Sequence, residues 1–185
     1  MPFHVEEPHA VARRVGQLLR DLHDASAEYV PPADAVWNVV IPPDRSDLIV
    51  HHDVAPWNLV MGVDRWAFID WDTAAPGSRL WDLAYAAHGF IPLSPATTAS
   101  LAGRLLADMA DGYGLTQPQR AELAEVLAPR VWSMFTLLER GGLDGEQPWA
   151  RLWAEGHGEV WRENAEYVEH HQAVLLAALL NLPTR

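Results

Sequence analysis

The sequence contains no cysteine, no lysine and no long uninterrupted apolar run. The absence of cysteine excludes disulfide bonds and thiolate metal sites, and it fits a reducing compartment. The longest apolar run, residues 173–180, is less than half of what a membrane-spanning helix requires. The N-terminus also lacks the basic and apolar segments of a signal peptide. We therefore expect a cytoplasmic protein with no membrane partner.

Basic residues are few compared with acidic ones. The sequence has 13 basic residues, all of them arginine, and 25 acidic residues, which gives a net charge of −12. This balance disfavours nucleic acids and anionic membranes as partners, because both attract basic patches. It would favour a cationic substrate, although the commoner effect of such acidity is to keep a protein in solution.

Length and composition predict one folded domain. The chain has 185 residues, about half of them apolar, and nine are tryptophan. That is enough for one domain with a real core and excludes a disordered chain. We assign residues 1–47 to a helix followed by a proline-rich loop, 48–72 to a strand, a loop and a hairpin, and 79–182 to a helical subdomain.

The first half of the chain mixes helix, loop and short strands. Apolar spacing predicts a helix over 7–25, and prolines predict a loop over 30–43. Residues 48–51 suit a buried strand, and 58–62 with 66–71 suit a hairpin that turns at 63–64. Residues 76–78 are typical of a turn, in which Ser78 caps a helix over 79–90.

Everything after Pro95 is predicted to be helical. One helix covers 96–113, and a second covers 117–140 with an interruption near Pro129 and an end at Gly141–Gly142. A last helical stretch begins at Pro148, is weakened at Gly156 and Gly158, and continues to about residue 180. The predicted fold class is α+β, predominantly helical, with one small β-hairpin.

Candidate functional residues lie in the non-helical stretch that reads H-H-D-V-A-P-W-N at 51–58 and I-D-W-D at 69–72. Phosphoryl transfer needs a carboxylate that takes a proton from the attacking hydroxyl, and oxygen ligands that hold Mg²⁺. Asp53 suits the first task. Asn58 and Asp70 suit the second, because an amide and a carboxylate supply oxygen ligands. Asp72 follows on the same predicted strand face as a second ligand or a neighbour of the metal site.

These motifs resemble the aminoglycoside phosphotransferase and choline kinase superfamily, which is related to the protein kinases. The family's catalytic loop has the form H-G-D-x-x-x-x-N, and its metal motif has the form I-D-W-D/E. A third signature, D-L-A at the start of a helix, matches residues 82–84, and the first helix ends in L-H as it often does in this family. The resemblance covers nearly the whole chain and aligns it with the C-terminal lobe of such enzymes.

The resemblance implies roles for individual residues. Asp53 would be the catalytic base, His51 would brace the catalytic loop, and Asn58 and Asp70 would bind Mg²⁺. Asp82 would accept backbone N–H groups beneath the loop. The implied activity is Mg²⁺-dependent transfer of phosphate from ATP or GTP to a small-molecule hydroxyl. His52 stands where the family has glycine, and we expect a cost of about 1 kcal/mol if that position requires a positive φ.

The residues before the first strand do not match an N-terminal kinase lobe. About 47 residues precede it, and neither a G-x-G-x-x-G loop nor a lysine occurs in the sequence, although kinases of this type use both on the phosphates. One interpretation is a phosphotransferase whose N-terminal lobe lies on a separate chain or in a preceding reading frame. A second is a catalytically silent C-terminal lobe that binds a small cationic ligand or a partner protein.

A third interpretation comes from another class of protein. His51, His52, Asp53, Asp70 and Asp72 would form a metal site for hydrolysis, which needs an open metal with a bound water. The first two interpretations share one further expectation. A lobe without its neighbour exposes an apolar interface and forms a homodimer or binds a separate lobe. We place that face near the first helix and Val36–Trp37.

Overall fold

Seven α-helices dominate the computed structural model, which describes residues 7–63 and 65–182. The helices are α1 (Pro8–Ser26), α2 (Arg79–Phe90), α3 (Ala99–Tyr113), α4 (Gln117–Asp144), α5 (Trp149–Ala154), α6 (His157–His170) and α7 (Gln172–Leu179). Four three-residue strands lie between α1 and α2: β1 (Leu48–Val50), β2 (Leu59–Met61), β3 (Trp66–Phe68) and β4 (Ala75–Gly77). The prediction of a predominantly helical α+β fold is confirmed.

The strands form two separate antiparallel pairs. β2 and β3 make the predicted hairpin, with Leu59 opposite Phe68; of its predicted turn, residue 64 lies outside the described residues. β1 pairs with β4, and Ile49 lies opposite Pro76. The prediction of a simple turn at 76–78 was therefore wrong. A proline is tolerated here because a two-stranded ladder leaves one side of each strand unpaired.

Helix α1 follows its predicted apolar stripe. Val15 and Leu19 are fully buried against the core, and Gly16 lies directly against α3, where its missing side chain leaves room for the carbonyl oxygen of Met109. The absence of a Cβ thus lets the two backbones touch. This contact fixes α1 beneath the loops that carry the candidate site.

Helix α2 begins as predicted. The Ser78 hydroxyl oxygen accepts the Trp81 backbone N–H at 3.2 Å, which satisfies one of the free donors of the first turn. The same hydroxyl donates to Asp44 at 2.6 Å. Eight residues of this helix are buried, so α2 is the central helix on which the loop between β1 and β2 rests.

Helix α4 is longer than predicted. It runs without a break through Pro129, so the predicted interruption there was wrong, and it ends at Asp144, with Gly145 as its cap at φ +72°. The predicted stop at Gly141 and Gly142 was wrong because these glycines pack against Trp149 and Trp153 of α5, leaving no space for a side chain. Their role is close helix packing rather than helix termination.

The last predicted helical stretch is divided into three helices. Gly156, with φ +88°, separates α5 from α6, so this predicted weak point is a true break. Gly158 is instead buried inside α6, where the ring of Trp153 covers it. The direction changes at His171 between α6 and α7.

The segment 27–47 forms neither helix nor strand, as its prolines predict. The Asp47 backbone N–H donates to the Gly77 carbonyl at 2.8 Å, and Asn38 Nδ2 donates to the Asp72 carbonyl at 3.3 Å. These bonds hold the segment beside the candidate site. Of the helices in the described ranges, none has both the length and the apolar character needed to cross a membrane.

Candidate active site

The loop between β1 and β2 carries Asp53 and is braced by His51. The backbone N–H of Asp53 donates to His51 Nδ1 at 3.3 Å, so Nε2 carries the ring proton and donates it to the Ile69 carbonyl at 3.0 Å. His51 is completely buried. Its ring therefore joins the loop of Asp53 to the end of β3, which places the candidate base against the hairpin.

Asp82 holds the loop from beneath. Its buried carboxylate accepts the backbone N–H groups of His51 at 3.2 Å and His52 at 2.8 Å. His23 Nε2 donates a third bond at 3.1 Å. Burial by itself would raise the pKa of Asp82, but the His23 hydrogen bond and the neighbouring histidines bring it below its ordinary value. The carboxylate is therefore charged and rigid.

His23 is a site residue that the motif analysis did not identify. It lies at the end of α1, is fully buried, and its Nδ1 accepts the Tyr113 hydroxyl at 2.8 Å. The available signal was the L-H pair at the end of the first predicted helix. That pair gave no indication of Asp82 as the partner, because 59 positions separate the two residues.

His52 adopts the left-handed backbone conformation that favours glycine, with φ +67°. Its ring lies against Gly77, where a Cβ would come within 2.9 Å of the imidazole Cε1. His52 Nε2 lies 3.2 Å from the Pro76 carbonyl. Because Gly77 lacks a side chain, the imidazole has a place to pack on β4.

Asn58 links the candidate base to the candidate metal ligands. Its Nδ2 donates to Asp53 Oδ2 at 2.8 Å and to the Asp53 carbonyl at 2.9 Å. The Ile69 N–H donates to the Asn58 carbonyl at 2.9 Å, which extends the β2–β3 register and brings Asp70 beside Asn58. With its nitrogen committed to Asp53, the amide leaves its oxygen free to bind a cation.

Asp70 and Asp72 lie beyond the strand that was predicted to carry them. β3 ends at Phe68, and Asp70 has φ +64°, so the chain turns there and the prediction that both carboxylates share one strand face was wrong. The turn arises because the Ile69 carbonyl bonds to His51 rather than to a strand. Both aspartates are exposed.

The donors of this site suit Mg²⁺ and do not suit a hydrolytic centre built on histidine. No three His, Asp or Glu side chains within the described ranges are grouped so that they could hold a metal ion. The ring nitrogens of His51 bond to backbone atoms, as does Nε2 of His52. The five-residue metal site of the third interpretation is thus contradicted. Mg²⁺ needs only one or two protein carboxylates beside phosphates and water.

On another side of Asp53 lie Tyr85 and Arg130, two residues that the sequence analysis missed. The Arg130 guanidinium lies 4.3 Å from the centre of the Tyr85 ring, and its Nη2 donates to the His52 carbonyl at 3.2 Å. Burial lowers the pKa of Arg130 to about 10, so it stays protonated at neutral pH. Burial and the Asp53 carboxylate raise the pKa of Tyr85.

The outer face of the hairpin is apolar. Val60 of β2 is 51% exposed and pairs with exposed Ala67 of β3. Ile69, 45% exposed, continues the same alternation along the chain. These three residues, called here the hairpin platform, lie next to Asn58 and Asp70.

Comparison with known proteins places this geometry in context. A model of a phosphotransferase enzyme family matches residues 33–126, half of the chain, and covers the loop, the hairpin and α2. A trifolitoxin immunity protein from Rhizobium leguminosarum bv. trifolii is 28% identical over an alignment of 190 positions, gaps included, that spans 89% of this chain and 67% of that protein. No solved structure matches significantly.

Proposed function

Because the chain belongs to the phosphotransferase enzyme family, we propose that it transfers the terminal phosphate of ATP or GTP to the hydroxyl of a small molecule, with Mg²⁺. The observation that carries the proposal is the 2.8 Å hydrogen bond from Asn58 to Asp53. This bond connects the candidate base to a candidate metal ligand that lies five residues further along the same loop. The family match agrees with the resemblance drawn from the motifs.

Asp53 acts as the base. Its Oδ2 is held by Asn58, which orients the carboxylate towards the cavity beside it. A carboxylate in this position orients the acceptor hydroxyl and takes its proton as the new bond to phosphorus forms. His51 and Asp82 do not touch the reactants; they position the loop through the backbone.

Asn58 and Asp70 hold the metal through oxygen atoms, with Asp72 as a third candidate. An amide oxygen and a carboxylate are ligands that Mg²⁺ accepts, and phosphate oxygens and water complete its coordination. An ion bound there would neutralise negative charge on the phosphates. The bond from the Ile69 N–H to the Asn58 carbonyl supports this assignment, because Asp70 is the next residue after Ile69.

The hairpin platform receives the base of the nucleotide. Val60, Ala67 and Ile69 offer an exposed apolar surface adjacent to the metal ligands, as a planar heterocycle requires. The sequence contains no lysine for the phosphates. A separate lobe that supplies a cation for the phosphates would therefore add to the binding that the platform and the metal ligands provide by themselves.

The same proposal has consequences for the location and the partners of the protein. A cytoplasmic location suits a reaction that consumes ATP or GTP. A net charge of −12 supports neither nucleic acid nor an anionic membrane as a partner.

The test is a calorimetric titration of the purified chain with Mg-ATP, followed by transfer from ATP labelled at its terminal phosphate to a panel of small alcohols. We expect Asp70→Asn to weaken Mg-ATP binding at least tenfold. Asp53→Asn should bind Mg-ATP normally and slow transfer by about 10²–10⁴-fold, the usual contribution of a general base.

Asp21→Asn, an exposed position on α1, is the matched control and should leave binding and transfer unchanged. Unchanged Mg-ATP binding by Asp70→Asn contradicts the proposal. Absence of saturable binding up to millimolar Mg-ATP favours the alternative, a silent module that binds a small cationic ligand or a partner protein.

A second candidate function is immunity to a toxin, the role for which the relative is named. The match over 89% of this chain favours it. It is compatible with phosphoryl transfer if the toxin carries the acceptor hydroxyl. Expression of the chain and of Asp53→Asn in toxin-sensitive cells separates protection by chemistry, which the variant loses, from protection by binding, which it retains.

A further inference from the structure

A cavity of about 440 Å³ borders Asp53 and excludes the candidate metal ligands. Its wall is formed by the loop between β1 and β2, by helices α2, α4, α5 and α6, and by residues 39–41 of the loop before β1. Asn58 and Asp70 do not line it. A molecule in this cavity would contact the candidate base without competing for the metal ligands. A molecule that accepts the phosphate needs such a position.

Aromatic side chains dominate the wall. Trp57, Tyr85, Trp149 and Trp161 come from four different segments and line the same space. Tyr85 and Trp161 are stacked, with an interplanar angle of 6°. Aliphatic residues of α4, α5 and the segment 39–41 supply most of the remainder. Such a surface favours ligands that bury apolar or aromatic area.

Charge in the cavity is balanced, in contrast to the chain as a whole. Among the described residues that line it, Asp53 is the one carboxylate and Arg130 is the one guanidinium; Arg130 is fully buried and acts electrostatically on Asp53. A cationic acceptor would need a carboxylate for each buried ammonium group, and Asp53 already interacts with the Arg130 guanidinium. It would also meet the positive charge of Arg130. The acidity of the chain therefore does not extend to this cavity.

The volume sets the size of the ligand. A cavity of about 150 Å³ accommodates one benzene ring, and this cavity has nearly three times that volume. We propose that the acceptor is an uncharged alcohol or phenol with one or two rings, packed among the tryptophans with its hydroxyl at Asp53. The inference rests on the proposed function for its chemical step.

In that step the acceptor oxygen forms a bond to the terminal phosphorus. The bond from that phosphorus to the bridging oxygen breaks, and the nucleoside diphosphate leaves with the electron pair. The hydroxyl proton passes to Asp53. The Tyr85 hydroxyl, which faces the same carboxylate, positions the acceptor.

The experiment measures binding without nucleotide, so it does not depend on catalysis. The intact chain is titrated calorimetrically with 2-naphthol, and with choline and kanamycin as cationic alcohols. We expect saturable 1:1 binding of 2-naphthol and at least tenfold weaker binding of both cations. Tighter binding of choline or kanamycin overturns the inference, as does the absence of 2-naphthol binding at millimolar concentration.

A pair of variants locates the bound molecule. Leu152→Phe enlarges a side chain of the cavity wall and should weaken 2-naphthol binding at least tenfold. Leu143→Phe makes the same change at a position that is 80% exposed and should have no effect. Thermal unfolding of both proteins shows that they are folded. Equal 2-naphthol affinity in the two variants overturns the assignment to this cavity.

Failure of this inference can be distinguished from failure of the proposed function. If 2-naphthol binds and Mg-ATP does not, the ligand class of the cavity stands and the phosphotransferase proposal fails. If Mg-ATP binds with the expected dependence on Asp70 and 2-naphthol does not bind, only the acceptor class is wrong.

Discussion

At the residue scale, His52 combines an unfavourable backbone conformation with several favourable contacts. Its φ of +67° lies in the region where a side chain costs about 1–2 kcal/mol. Its backbone N–H bonds to Asp82 at 2.8 Å, and its carbonyl accepts Arg130 at 3.2 Å. These bonds hold the residue in place, so the loop tolerates a histidine where the related motif has glycine.

Comparing His52→Gly with His52→Ala isolates the backbone contribution. Both variants lose the imidazole, so they differ mainly in the cost of a Cβ at positive φ. We expect His52→Gly to be more stable than His52→Ala by about 1 kcal/mol, measured by urea denaturation. Equal stability, or a more stable alanine variant, would show that the position is not strained.

At the element scale, the packing of α1 on α3 depends on two glycines. Gly16 faces the Met109 carbonyl, and Gly112 faces the Arg13 carbonyl. A Cβ would lie 2.2 Å from the oxygen at Gly16 and 2.0 Å from the oxygen at Gly112, much closer than van der Waals contact. These oxygens belong to the backbone, which cannot move as a side chain can. These helices therefore approach each other more closely than an alanine would allow.

Gly16→Ala should destabilise the protein, although alanine is the better helix former. The intrinsic gain of about 1 kcal/mol is outweighed by backbone displacement, and we expect a net loss of about 1–3 kcal/mol. Chemical denaturation measures it, with Gln17→Ala as control because Gln17 is exposed on the same helix. A Gly16→Ala protein as stable as the control would contradict the close packing.

At the scale of the whole molecule, we expect stability to depend on pH through a partly buried histidine. His88 stacks on Trp161 at 4.1 Å and its Nε2 lies 3.1 Å from Asn164 Nδ2. Burial lowers the pKa of His88 from 6.5 to about 4, and burial also lowers the pKa of His52. Between pH 6.5 and 4 the unfolded chain binds a proton at His88 that the folded chain does not. The free energy of unfolding must therefore fall as the pH decreases through this window.

His88→Phe keeps a ring on Trp161 and removes this proton uptake. We expect a flatter stability profile, with up to about 3 kcal/mol less variation between pH 6.5 and 4. Urea denaturation at several pH values measures it. His170→Phe, at an exposed position on α6, should retain the wild-type slope. Identical slopes in the two variants would exclude His88 as the source.

Sequence reasoning identified the candidate site residues that lie close together in the chain. Asp53, Asn58 and Asp70 fall within one loop and one hairpin, and their spacing was informative for that reason. His23 of α1 bonds to Asp82, which is 59 positions away in the chain. Arg130 of α4 bonds to the His52 carbonyl, which is 78 positions away. No local spacing indicates such partners, because only the packing of α1 and α4 against α2 brings them to the loop.

Local chemistry in the sequence was enough to determine the helical class, the capped start of α2, the proline-rich loop and the order of the candidate site residues. Apolar periodicity, caps and prolines act over a few neighbouring residues and are therefore visible in the chain itself. Only the tertiary structure decided that β4 pairs with β1, that α4 continues through its glycines, and that an aromatic cavity of balanced charge borders Asp53. These features depend on contacts between distant segments, whose packing energy outweighs local preference.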